Sequence, residues 1–339
     1  MITAAIAKLI SKTDLTDAEM TGVMSSIMTG GTSAAQIAAF LVAMRMKGET
    51  VEELTAAARV MRSMAQRLSV SPADDEVLLD TCGTGGDGKQ TFNISTIACF
   101  VIAAAGVKVA KHGNRAISSS CGSADLMQAL GVNIEMPPAL VWECIRRVGI
   151  GFLYAPVFHS AMKHAAPVRK EIGVRTIFNL LGPLTNPAMA QAQLVGVFDH
   201  RLTEPFAGVL RNLGCAHALI VHGSDGLDEI TITGESRITE LYRREVRTYS
   251  INPRSLGMEL GRPSELTSCG VNDNVAICHE ILGGTRGARR HVVLLNSAAG
   301  LIAAGKASDF GQGIGMAADA IDSGRAKAVL DGLISFTNG

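Results

Sequence analysis

The sequence predicts an α/β protein with a mainly parallel central sheet, joined to a smaller all-helical part. Three observations carry this. Residues 1 to about 68 read as helix throughout. Short β-branched runs then alternate with helical stretches. Polar, glycine-containing turns follow several of those runs.

The helical part carries three capping boxes: Thr16 with Glu19, Ser33 with Gln36, and Thr50 with Glu53. In each, the first side chain can accept from an orphan helix N–H, and the third residue on can bond back. After "SVSPADD" the alternation begins: "EVLLD", "STIACFVIAAAG", "VKVAKHG", "SADLMQALG", "ALVWECIRRVG", "GFLYAP", "QAQLVGVFD", "EPFAGVLRNLG" and "HALIVHG". Strand and crossover helix in turn make a parallel sheet. Two regions break the rhythm. Residues 160–187 look helical, with a Gly-Pro and Asn-Pro stop. "DEITITGESRITELYRREVRTYSI" alternates with period two, and a hairpin turn is expected at Thr233–Gly234.

Composition bounds the function. The 339 residues are 47% hydrophobic, enough for more than one lobe. Lysine plus arginine and aspartate plus glutamate each number 31, so no cationic excess is available for a nucleic-acid backbone. The run "TIACFVIAAAGVKVA" is too short to span a membrane. The N-terminus reads as an amphipathic helix rather than a secretory signal. The seven cysteines form no CxxC pair, so reduced thiols in a cytoplasmic protein are expected.

Ligands of open parallel sheets bind at the carboxyl ends of strands. Three loops follow apparent strands and should converge there: residues 83–88, 111–115 and 222–229. In "DTCGTGGDGKQTFNIST" the glycines fit neither standard phosphate loop. Gln90 occupies the hydroxyl position of a Walker loop. No acidic residue ends a strand about 20 residues on, as a dinucleotide loop requires. What survives is an anion cradle at a helix N-terminus, or a plain tight turn. "NIST" (93–96) is either a helix cap or a set of phosphate donors. "KHGNRAISSSCGS" (111–123) is either a solvated polar turn or a donor-rich phosphate site, with Lys111 as a point charge. Asp228 and Glu229 are solvated surface acids, or, facing phosphate loops, a hard oxygen site suited to magnesium. Arg169 and Arg175 are exposed helix arginines, or, on a segment that interrupts the α/β rhythm, guanidiniums that could meet a carboxylate ligand. His159 and His164 are five apart, off the spacing of a zinc helix, and read as pocket or core residues.

Together "GTGGD" (83–87), "NIST", "KHGNR", "CGSAD" (121–125), "PVRKEIGVRTIFNLLGPLTNP" (167–187) and "GLDE" (226–229) resemble the anthranilate phosphoribosyltransferase family over nearly the whole chain. That family, of nucleoside phosphorylase-like fold, moves phosphoribose from phosphoribosyl pyrophosphate (PRPP) to the amine of anthranilate in tryptophan biosynthesis, with magnesium. The resemblance implies a small helical domain from 1–68 and 160–187 and an α/β domain from 72–159 and 188–339, in a homodimer. It places PRPP on Gly83, Gly86, Asp87, Thr91, Asn93, Ile94, Ser95, Thr96, Lys111, His112, Gly113, Asn114, Arg115, Ala116, Ile117, Ser118, Ser119 and Ser123. It places Mg²⁺ on Ser95, Asp228 and Glu229. Anthranilate falls on Gly83, Asn114 and Arg169, with His159 and Pro183 near. No residue is expected as a dominant acid or base, since an aromatic amine is already neutral; His112 is the candidate for a later proton acceptor.

The chain departs from the family pattern in two places. Ser120 and Cys121 stand where a cation and a small residue are common, and Tyr154 where phenylalanine is common. Two other readings fit the pattern less well. A nucleoside phosphorylase lacks "KHGN" and the 167–187 segment, and a nucleic-acid-binding relative calls for a basic surface.

Overall fold

The computed structural model describes residues 1–68, 76–116 and 120–339. Helices α1 (Ile2–Ile10), α2 (Asp17–Met28), α3 (Ala34–Lys47) and α4 (Val51–Met64) open the chain. The three expected capping boxes are present at the starts of α2, α3 and α4, each with both reciprocal bonds.

The alternation then unfolds as β1 (Leu78–Gly83), α5 (Ile94–Ala104), β2 (Lys108–Gly113), α6 (Ser123–Ala129), α7 (Pro138–Val148), β3 (Ile150–Tyr154) and α8 (Ala155–Phe158). The interrupting segment holds α9 (Ala166–Ile172) and α10 (Ile177–Leu181), with short 3-10 turns on either side. There follow β4 (Ala192–Gly196), α11 (Thr203–Asn212), β5 (His217–Gly223), β6 (Ser236–Tyr242) and β7 (Glu245–Ile251). The chain ends in α12 (Val271–Leu282), α13 (Ala288–Ala303), α14 (Phe310–Asp322) and α15 (Arg325–Asn338).

The strands form one sheet in the order β3-β2-β1-β4-β5-β6-β7. The first five are parallel, and β6 and β7 run antiparallel at one edge. Alternate strand residues feed two cores. Leu194 and Leu219 face the core built on α5 and α13, whereas Val195, Ala218 and Ile220 face the core shared with the helical bundle and α11. Helix α5 is apolar all round because it is buried all round. Its close approach to α13 depends on Gly300, where a Cβ would stand 2.5 Å from Ile102 Cδ1.

The interrupting segment ties bundle to sheet. Arg62, buried on α4, donates from Nε to the Leu184 carbonyl at 2.7 Å. Gln193 donates to the Pro183 carbonyl at 3.0 Å, and Asn186 to that of Ala110 at 2.8 Å.

The expected hairpin is real but its turn is elsewhere. It reverses at Arg243–Arg244, not at Thr233–Gly234. Both arginines adopt positive φ, 50° and 69°, as a two-residue turn that matches strand twist requires. The alternating residues before Ser236 are not a strand: Asp225 Oδ2 accepts from the hydroxyls of Thr231 and Thr233, at 2.7 and 2.6 Å. Those threonines serve a side chain rather than a ladder.

Candidate active site

Because β1, β2 and β5 are parallel and lie within one run of the sheet, their carboxyl ends share an edge. The three loops named from sequence therefore converge. Contacts between them are direct. Asp228 Oδ2 accepts from the Gly85 amide at 2.8 Å, and Glu229 Oε1 from the Ser95 amide, in the first turn of α5, at 3.1 Å.

Glycines make this possible. Gly83 and Gly196 are register partners on β1 and β4. A Cβ on Gly83 would stand 2.5 Å from Asp228 Oδ2, and one on Gly196 only 1.5 Å from the Asp228 carbonyl oxygen. The two bare backbones form the floor on which Asp228 lies. Gly196→Ala is expected to lose about 1–3 kcal/mol in urea unfolding, since backbone rather than a flexible side chain must move.

The acids are strained electrostatically. Burial raises Asp228 to about 7, with the Asp87 charge adding to it. Burial likewise raises Glu229 to about 8, with Asp228 adding to it. Asp87 is also raised by burial and interacts directly with Asp228. A cation at this point would relieve all three. Two carboxylates and the Ser95 hydroxyl are hard oxygen donors, and magnesium commonly takes one or two carboxylates together with substrate phosphates. The donor set fits that ion.

Lys111 lies beneath the loop rather than on it. It is 3% exposed and donates from Nζ to the Thr81 carbonyl, with the Ser95 hydroxyl at 3.5 Å. Its charge offsets part of the rise at Glu229 and at Asp80. Asp80, fully buried, accepts from the His112 amide at 3.1 Å. Thr96 and Ile94 are also buried. Thr91 forms an isolated bridge to Thr267. Asn93 bonds from its amide to Asn274 Oδ1 at 2.8 Å and from its side chain to the Cys121 carbonyl at 3.1 Å.

The loop after β2 closes on Asp125. One carboxylate oxygen accepts from the amides of Ala116 and Gly122, each at 2.9 Å; the other accepts from Arg115 Nη1 at 3.1 Å. Arg115 also donates to Gln128 and, from Nε at 3.1 Å, to the Tyr154 hydroxyl. The tyrosine departure thus holds an arginine. Asn114 accepts through its backbone carbonyl from the Ala124 amide and from the Ser123 hydroxyl. Gly113 packs so closely that a Cβ would stand 2.3 Å from Ser123 Oγ. Ile117, Ser118 and Ser119 lie outside the described residues, as does the start of the α/β domain expected at residue 72. Asp125→Ala leaves two backbone amides without acceptors and is expected to cost about 1–3 kcal/mol by urea unfolding.

On the helical side, His112 and His159 stack with ring centroids 5.1 Å apart. Each ring lies against the backbone of the 182–185 turn, His112 by Gly182 and His159 by Thr185. Nε2 of each is buried with no protein partner among the described residues. Burial drives His112 down to about 3 and His159 to about 4, so both are neutral acceptors at pH 7. Pro183 stands beside them, its carbonyl 3.9 Å from Cys82 Sγ at the end of β1. Arg169 lies on α9, half-buried, its guanidinium carbon 5.2 Å from the Phe178 ring centroid. No hydrogen bond joins its side chain to another site residue among the described residues.

Sequence reading missed several supports. Asn274 holds Asn93, and Asn296 brackets Ile230 by accepting from its amide at 3.0 Å and donating to its carbonyl at 2.9 Å. An asparagine inside an apolar helical run, as in "VVLLNSAAGLIA", was the available signal.

A helical bundle on a parallel sheet, with acids and glycine loops at the carboxyl edge, defines a phosphate-handling transferase. The model for the α/β domain of a glycosyl transferase family matches residues 75–327, and that for its helical bundle domain matches residues 3–65. Anthranilate phosphoribosyltransferases of Geobacter sulfurreducens and Moorella thermoacetica are 54% and 53% identical to the chain. They match over 100% and 99% of it, and over 100% and 98% of their own length. The solved enzyme of Thermus thermophilus superposes with a TM-score of 0.92 at 43% identity, covering 99% of each chain. That of Saccharomyces cerevisiae in complex with PRPP and Mg gives 0.91 at 27% identity, covering 99% of this chain and 98% of that one. The chain belongs to this glycosyl transferase family, among the anthranilate phosphoribosyltransferases.

Proposed function

We propose that the chain transfers the 5-phosphoribosyl group of PRPP to the amine of anthranilate, releasing pyrophosphate and N-(5-phosphoribosyl)anthranilate. The observation that carries this is the meeting of Asp228 and Glu229 with the glycine loop and the α5 N-terminus at one sheet edge. In this reading the diphosphate rests on the loop of Gly83, Gly86 and Asp87 and on the 93–96 turn. The phosphoribose lies along the loop that follows Lys111, as far as Ser123. Mg²⁺, held by Asp228, Glu229 and Ser95, would neutralise charge on the departing oxygens.

Lys111, buried, supports Ser95 and balances Glu229 rather than meeting phosphate itself. Asn114 and Arg169 hold anthranilate from opposite sides, with Gly83, His112, His159 and Pro183 around it. The amine nitrogen bonds to the anomeric carbon as the carbon–oxygen bond breaks, and pyrophosphate leaves with the electron pair. The amine proton then departs, to water or to His112 Nε2. A base near pKa 3 exerts little pull. Positioning two substrates in line is where most of the rate arises.

The bundle with residues 160–187 is read as one domain, and 72–159 with 188–339 as the other. Ile10, Val42 and Met46 expose apolar surface on α1 and α3, which supports a homodimer through the bundle. Among the described residues no helix is long and apolar enough to cross a membrane. A cytoplasmic location accords with its substrates. The test of the activity is loss of anthranilate fluorescence on adding PRPP and Mg²⁺, with stoichiometric pyrophosphate. If neither occurs, this reading is wrong.

A further inference from the structure

Arg175 lies in the turn between α9 and α10, on the helical side of the site, and is exposed. Its guanidinium carbon stands 4.5 Å from the Phe198 ring centroid. Its Nε is 3.1 Å from the place a Cβ on Gly86 would occupy. Gly86 has φ of +74°, so the loop turns there in a way that leaves the arginine room. Phe198 is itself fixed to the glycine loop: its amide donates to Thr84 Oγ1 at 3.1 Å. The side chain is therefore held between an aromatic face and a bare backbone, directly against the loop.

The guanidinium has no hydrogen-bond or ion-pair acceptor among the described residues. Some other arginines of the molecule are spent on acids: Arg115 on Asp125, Arg237 on Glu204, and Arg290 on Asp322. A planar fork of donors, fixed in place and left unspent beside a phosphate loop, matches a bidentate phosphate partner. The local charge argues the same way. Asp87, Asp228 and Glu229 crowd one side of the loop, Lys111 is buried beneath it, and Ser120 brings no cation.

We infer that Arg175 binds the diphosphate of the phosphoribosyl donor, closing over the leaving group from the helical side of the site. This rests on the reading that the diphosphate lies on the glycine loop. It also divides the two arginines of "PVRKEIGVRT": Arg169 serves the acceptor, Arg175 the donor.

The test compares Arg175→Met, Arg175→Ala and Arg175→Lys. Methionine keeps an unbranched side chain against Phe198 without the charge. In the Met and Ala variants, KM for PRPP and the inhibition constant of pyrophosphate are expected to rise together by about tenfold or more. KM for anthranilate should stay within about twofold, and the melting temperature of the Met variant should match the parent. Lysine should recover only part of the loss, as a point charge in place of a fork. Unchanged pyrophosphate inhibition in the Met and Ala variants of an active parent overturns the inference and leaves the functional reading intact. A parent that neither consumes anthranilate nor binds pyrophosphate with Mg²⁺ overturns both.

Discussion

Asp228→Asn is expected to lower kcat by about two to three orders of magnitude, and to stabilise the metal-free protein above pH 7. Both effects have one origin. Burial, and then repulsion from Asp87, raise Asp228 to about 7, while burial and Asp228 raise Glu229 to about 8. An acid whose pKa rises on folding binds protons more tightly folded than unfolded. The stability it contributes is fully present below the ordinary carboxylate range near 4 and is lost as pH climbs through 7 to 8. The metal-free parent should therefore melt lower at pH 9 than at pH 5, with stability falling between the ordinary carboxylate range near 4 and about 8 and level above it. The Asn variant should show a flatter profile. Magnesium with PRPP should restore the parent at high pH, because a ligand of the folded state stabilises it by mass action. An Asn variant that keeps full kcat at saturating Mg²⁺, and melts in parallel with the parent at every pH, would place the metal elsewhere.

The parallel sheet was legible because its signals are local. An apolar run, a glycine-containing turn and an amphipathic stretch recur within a few residues of one another, and each capping box is complete within four residues. The convergence of three loops was legible too, since parallel strands put their carboxyl ends on one edge whatever their order. Contacts between distant segments were not. Nothing near Gly196 in the chain announces that the Asp228 carbonyl will lie on it. Lys111 looks like a surface cation in a polar stretch. Its burial follows from β2 lying between β1 and β3, an order that no short pattern encodes. The hairpin was misplaced for a related reason: Thr231 and Thr233 alternate like strand residues, and only the folded position of Asp225 turns them into its hydrogen-bond donors. The Tyr154 hydroxyl had no evident partner until Arg115, 39 residues away, was brought against it.

Arg169→Ala should act on the other substrate. The expected result is a rise of about 10- to 100-fold in KM for anthranilate, the worth of one charge-assisted hydrogen-bonded pair, with KM for PRPP changed little. The structure gives the guanidinium a place but no protein acceptor among the described residues. It lies half-buried against Phe178, and burial lowers its proton affinity. A half-buried cation with no protein counter-ion is costly to keep unless a ligand anion completes it. Asp228→Asn must then have the smaller effect on anthranilate KM, because its contacts are the Gly85 amide and Asp87 on the donor side. Arg169→Lys is the sharper control. Lysine keeps the charge but not the planar fork, so a carboxylate held bidentately should lose most of its affinity, whereas one held by charge alone should lose little. A larger anthranilate KM effect from Asp228→Asn than from Arg169→Ala would reverse the division of labour between the two sides of the site. Equal effects on both substrates from Arg169→Ala would instead make that arginine a support for the fold, which its melting temperature would register.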